Sequence, residues 1–157
     1  MIIKEADRRS RLLIPHDLKS PSSVVEAANL MALELWGKPV SFDQAASHVT
    51  AISINGKQLP FNAFCMQEEA AGVDMFTQWQ SWENNVNYVY PPEPMTGRLL
   101  TFLPKTNAVA IVVLPLPIPC EWWSYTIQPF ADGVMRQTTV QKFLITAFDF
   151  RASNLLN

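Results

Sequence analysis

The sequence predicts a three-layer α/β domain, and three observations carry that prediction. Ala108 to Leu114 is a continuous apolar run, the signature of a central strand buried on both faces. Helical patterns at Pro21 to Trp36 and Met95 to Leu103 alternate with the strand-like Val86 to Tyr90 and Ala108 to Leu114. The chain then carries Val134 to Val140 and Lys142 to Phe150, which read as an antiparallel pair after the turn signal Asp132-Gly133. Helices alternating with strands and followed by a hairpin place helices on both faces of a mostly parallel sheet.

Residues 1 to 19 mix charges with Leu12, Leu13 and Ile14 without a period and read as an arm; residues 20 to 157 form the domain. In the first helix Val24, Ala28, Met31 and Leu35 share one face. Ser20 is the expected cap with Pro21 at the first helical position, Ser23 with Glu26 is a second option, and Gly37 supplies the stop. Val49 to Ile54 alternates like a strand and Asn55-Gly56 is a tight-turn signal. Pro60 restricts the return segment to an edge strand or ordered loop. Gln67 to Ala71 fits one polar helical turn, and Trp79 and Trp82 are two large apolar anchors. Pro91 ends the strand Val86 to Tyr90, Pro104 stops the second helix, and a further helix is expected near Glu121 to Thr126.

At 157 residues and 48% hydrophobic the chain can bury a sizeable core as one domain. A net charge of -2 offers no global attraction to phosphate, so nucleic-acid binding should be weak. Twelve prolines against five glycines indicate stiff connections. The amino terminus lacks the apolar core of a signal peptide, and no run is long enough to span a bilayer; an intracellular protein, nuclear or cytoplasmic, is expected.

Metal chemistry and nucleophilic catalysis find little support. Cys65 and Cys120 lack partner spacing and are expected as buried thiols. His16 and His48 have no partner at ligand spacing, so no metal site is expected. Ser10, Ser22, Ser23 and Ser47 lie in no nucleophile elbow, and no Gly-rich phosphate loop occurs. Tyr90 and Glu93, flanking Pro91-Pro92, are the one pair with acid/base character, against the plainer reading of an edge turn with a solvated carboxylate.

A set of ordered motifs resembles one family. Asp74-Met75-Phe76 with Trp79, Tyr88-Val89-Tyr90-Pro91-Pro92, Leu99-Leu100, the apolar strand, Leu114-Pro115 and Trp122-Trp123 look like the region after the RNase H domain of DIRS-type, tyrosine-recombinase retroelement polyproteins. That region is similar to phage-type Dam DNA adenine methyltransferases. Glu5-Ala6-Asp7-Arg8-Arg9-Ser10-Arg11 resembles the end of the retroelement RNase H, Trp36-Gly37-Lys38-Pro39 a Gly-x-Pro, and Asn55 with Leu59-Pro60 an Asn-x-x-Leu-Pro. The matches run in order to about Phe130.

The resemblance implies a Rossmann-like, methyltransferase-type sandwich with an antiparallel terminal hairpin. In the methyltransferases an Asp-x-Phe-Ala loop closes over S-adenosylmethionine; here Phe42-Asp43-Gln44-Ala45 occupies that place and Asp43 is the candidate cofactor residue. Their Asn-Pro-Pro-Tyr turn holds the target amino group and stacks on the flipped base. Here those positions are Tyr90, Pro91, Pro92 and Glu93, and a carboxylate is a poor stacking platform. The implied function is a catalytically degenerate, adenine-methyltransferase-like binding or structural module from a retroelement polyprotein, with no cofactor expected.

Two alternatives stay open. One is an active, S-adenosylmethionine-dependent DNA adenine methyltransferase using Asp43 and Tyr90. The other is an accessory domain of a reverse transcriptase and RNase H, gripping nucleic acid through Lys4, Arg8, Arg9 and Arg11, with Arg98 or Lys105 as a further contact. If the old sites are dead, the stiff exit Pro115, Pro117 and Pro119 is expected to push Leu116, Ile118, Trp122 and Trp123 outward as a rim for a protein partner or a homodimer.

Overall fold

The computed structural model describes residues 19–119 and 133–151, so the expected helix near Glu121 to Thr126, all of the arm but Lys19, and Cys120 lie outside the described residues. The first helix, α1, is Ser22–Trp36. Gly37 ends it at φ 68°, donating its N–H to Leu33 O at 3.0 Å. Val24, Ala28 and Met31 are buried as their spacing requires. Neither expected serine cap forms. Pro21 occupies the cap position without a side-chain bond, Ser20 Oγ instead accepts from Tyr88 Oη at 2.7 Å, and Ser23 Oγ accepts from Gln141 Nε2. Long-range partners have outcompeted local ones.

Strands follow as β1 (Phe42–Asp43), β2 (Ser53–Ile54), β3 (Lys57–Gln58), β4 (Asn62–Ala63), β5 (Gly72–Val73), β6 (Val86–Val89), β7 (Val109–Pro115), β8 (Val134–Val140) and β9 (Phe143–Asp149). Helix α2 (Trp79–Glu83) precedes β6, and α3 (Thr96–Phe102) joins β6 to β7. The main sheet has five strands in the order β1-β6-β7-β9-β8. β1, β6 and β7 run parallel, while β9 is antiparallel to both β7 and β8. β4 and β5 pair in parallel, and a parallel bridge from Asp43 to Phe61 sets that pair alongside β1.

β7 is central, with β6 its neighbour. Alternate residues feed two cores: Val109, Ile111 and Val113 meet α1, while Ala110, Val112 and Leu114 meet Trp82, Leu99, Leu100 and Phe102. The protein is therefore a mixed α/β structure with helices on both faces of its sheet. No described helix is long and apolar enough to cross a membrane.

Several local expectations change. Of Val49 to Ile54 only Ser53–Ile54 is a strand, because the Ser47 and Thr50 side chains bond the backbone into a turn. Asn55-Gly56 does form the turn between β2 and β3. Gln67 to Ala71 contains a turn but no helix. Trp82 is fully buried, whereas Trp79 is exposed and rests one side on Phe102. Cys65 is exposed, in the loop with Met66 where the chain crosses from β4 to β5. Ile118 is buried, joining Leu114, Leu144 and Phe148, whereas Leu116 is exposed. Apolar burial draws Ile118 off the proposed rim.

Candidate functional site at the carboxyl edge of the sheet

The chain leaves β1 toward β4 and β5 on one side, then returns across to β6 and on to β7. Strand order therefore reverses between β1 and β6. In open α/β sheets a crevice for ligands forms outside the carboxyl ends of the strands at such a reversal. Two segments enter it here: Asp43-Gln44-Ala45 from β1, and Tyr90-Pro91-Pro92-Glu93 from β6.

Asp43 is 2% exposed. Its Oδ1 accepts from Ala45 N at 3.3 Å and its Oδ2 from Ile52 N at 3.1 Å. Burial pushes the carboxyl up to about 7, a rise that the two backbone donors only partly offset. The side chain thus clasps the loop between β1 and β2, each oxygen accepting one backbone N–H. Beside it, burial pushes the Tyr88 phenol up, with the Ser20 hydroxyl opposing.

The β6 turn places its four residues in contrasting surroundings. Tyr90 is half-buried, edge-on to Phe143 with ring centroids 5.7 Å apart, and burial pushes its phenol up as well. Pro91 and Pro92 are buried, and Glu93 is exposed at the start of a 3-10 turn, Glu93–Met95. The candidate acid and base are therefore held in unlike settings, one against the sheet and one in water.

Four polar side chains below the crevice form a hydrogen-bonded cluster. Gln44 Nε2 donates to Asn87 Oδ1 at 2.8 Å and to Ser81 Oγ at 3.0 Å, while Asn62 Nδ2 donates to Gln44 Oε1 at 2.6 Å. Asn87 Nδ2 reaches the carbonyls of Trp82, Asn85 and Val109. This cluster ties β1, β4, α2, β6 and β7 together. Sequence reasoning missed it, although one amide within the otherwise apolar Val86 to Val89 was a usable signal.

At this edge the described residues Gln44, Phe64, Asp74, Phe76, Met95 and Arg98 line a cavity of about 210 Å³. Asp74 holds a positive φ of 65°, and its carboxylate accepts from Phe76 N at 3.1 Å. The Arg98 guanidinium lies 4.1 Å from the Phe76 ring centroid, a cation–π contact. A larger cleft, about 630 Å³, opens between the first turns of α1 and the β2–β3 hairpin, lined among others by Ser20, Asn29, Ile52 and Asn55.

Of the other candidates, Arg98 and Lys105 are exposed. Lys4, Arg8, Arg9, Arg11, Trp122 and Trp123 lie outside the described residues. Among the described residues no group of three or more His, Cys, Asp or Glu side chains gathers as a metal site. No protein-family model, no curated protein and no solved structure matches the chain.

Proposed function

We propose that this protein is a methyltransferase-like α/β domain with a degenerate catalytic turn, of retroelement-polyprotein type, which acts as a binding or structural module. The state of the reversal-point crevice carries the reading. The carboxylate placed to meet a cofactor is buried and spent on the Ala45 and Ile52 N–H groups. The position that should stack on a base is the exposed Glu93.

Strand order supports the methyltransferase-type frame. Counting β1, β4, β5, β6 and β7 as first to fifth, their spatial order is third, second, first, fourth, fifth, as in Rossmann-type sheets. The terminal hairpin then sets its antiparallel strand β9 beside β7, as expected for the antiparallel pair of that frame. Fold alone does not assign activity, and the site residues argue against methyl transfer.

The test is a methyl-transfer assay with labelled S-adenosylmethionine and adenine-containing duplex and single-stranded DNA. No transfer above a protein-free control is expected. Transfer that Tyr90→Phe abolishes, with the fold intact by circular dichroism, would establish the active-enzyme alternative instead.

A further inference from the structure

We propose that the protein forms a two-fold dimer by antiparallel pairing of β8 with β8 of a second copy, centred on Thr138. β8 is the last strand of the five-stranded sheet and pairs with β9 alone. Among the described residues nothing pairs with its outer side. Edge strands are normally blunted by lysine, proline or a bulge. β8 has a bulge between Val134 and Arg136, but the regular stretch from Arg136 to Val140 holds no proline, and its one charge, Arg136, is paired with Glu34 of α1.

That stretch is self-complementary when centred on Thr138. With Thr138 opposite Thr138, Gln137 faces Thr139 and Arg136 faces Val140, so no like charges meet and the central pair is a favourable cross-strand match. Centring on Arg136 would oppose two guanidinium groups, and centring on Gln137 would draw the bulged Met135 into the ladder.

Helix α1 gives the second observation. Its Ser23 bonds Gln141 at one end of β8, and its Glu34 pairs with Arg136 at the other. From Ser23 to Glu34 the helix rises about 16 Å at ~1.5 Å per residue. From Arg136 to Gln141 the strand advances about 16 Å at ~3.3 Å per residue. Helix and strand therefore run antiparallel and in step, which sets Leu30 level with Thr138. Leu30 is 57% exposed and Leu33 43%. A two-fold axis at Thr138 would bring the Leu30 side chains of both copies to the axis together. A single foreign strand would satisfy the edge and leave Leu30 in water. A second copy is the occupant that fits both features.

Light scattering on the full chain at about 100 μM should give twice the 17.7 kDa chain mass. Leu30→Glu and Thr138→Lys alter exposed side chains, so each should keep the fold by circular dichroism while weakening the dimer at least tenfold. In a cysteine-free background (Cys65→Ser, Cys120→Ser), Thr138→Cys should oxidise to a covalent dimer, because directly opposed strand residues lie within disulfide reach. Lys142→Cys, away from the axis, should not. A monomer at this concentration overturns the proposal. So does a Thr138→Cys chain that fails to cross-link, or a dimer untouched by Leu30→Glu and Thr138→Lys but dispersed by Trp122→Ala, which would assign the association to the proline-stiffened rim.

Discussion

At the scale of single residues, Asp43 sets a pH signature. Its carboxyl ordinarily titrates near 3.8 and is pushed to about 7 when folded. Between those values the folded chain holds a proton that the unfolded chain has lost, so stability falls as pH rises through this window. Below it both states are protonated and the effect vanishes; above it the penalty is complete, on the order of 4 kcal/mol at most. Asp43→Asn removes the ionisation, so denaturation measured from pH 4 to pH 8 should show the variant gaining on the parent as pH rises. A parallel pair of stability curves would contradict the buried clasp. Asn87 makes a complementary prediction. Its Nδ2 shares two N–H donors among three backbone carbonyls and its Oδ1 accepts from the Gln44 amide, so Asn87→Ala should cost about 3 kcal/mol or more by leaving buried groups unpaired. Asp43 was legible as a candidate from its motif. Its burial was not, because one of the two donors that hold it inward comes from Ile52, a residue that local pattern places in a longer strand.

At the scale of elements, the legible parts were those with strong periodicity. α1, β7 and the β8–β9 hairpin follow their sequence patterns closely: α1, β7 and β9 each bury a long apolar face, and β8 is held by its pairing with β9. The short strands β1, β4 and β5 were not legible, because two residues carry no period and their pairing is fixed by tertiary contacts. The serine caps failed for the same reason. One turn glycine carries a specific cost. Gly133 opens β8 at φ 80°, and a Cβ there would meet the Phe150 ring. Gly133→Ala should therefore destabilise by about 2 kcal/mol or more, read from chemical denaturation, through strain and ring displacement together. A loss under about 0.5 kcal/mol would mean that Phe150 yields freely.

At the scale of the whole molecule, a sheet that reverses order between β1 and β6 retains the crevice position of a ligand-binding α/β fold, but its lining is largely committed to holding the fold. Asp43 clasps a loop, Gln44 and Asn87 bond across strands, and Tyr90 packs on Phe143. The remaining apolar exit, with Leu116 exposed, is the surface proposed for partners. Trp122→Ala or Trp123→Ala should weaken an association through that rim by about 2 kcal/mol or more without lowering the melting temperature. If the frame persists while the cofactor site does not, titration calorimetry with S-adenosylmethionine should give no heat of binding at cofactor concentrations of several hundred micromolar. Micromolar binding that Asp43→Ala removes, with the fold intact, would contradict it.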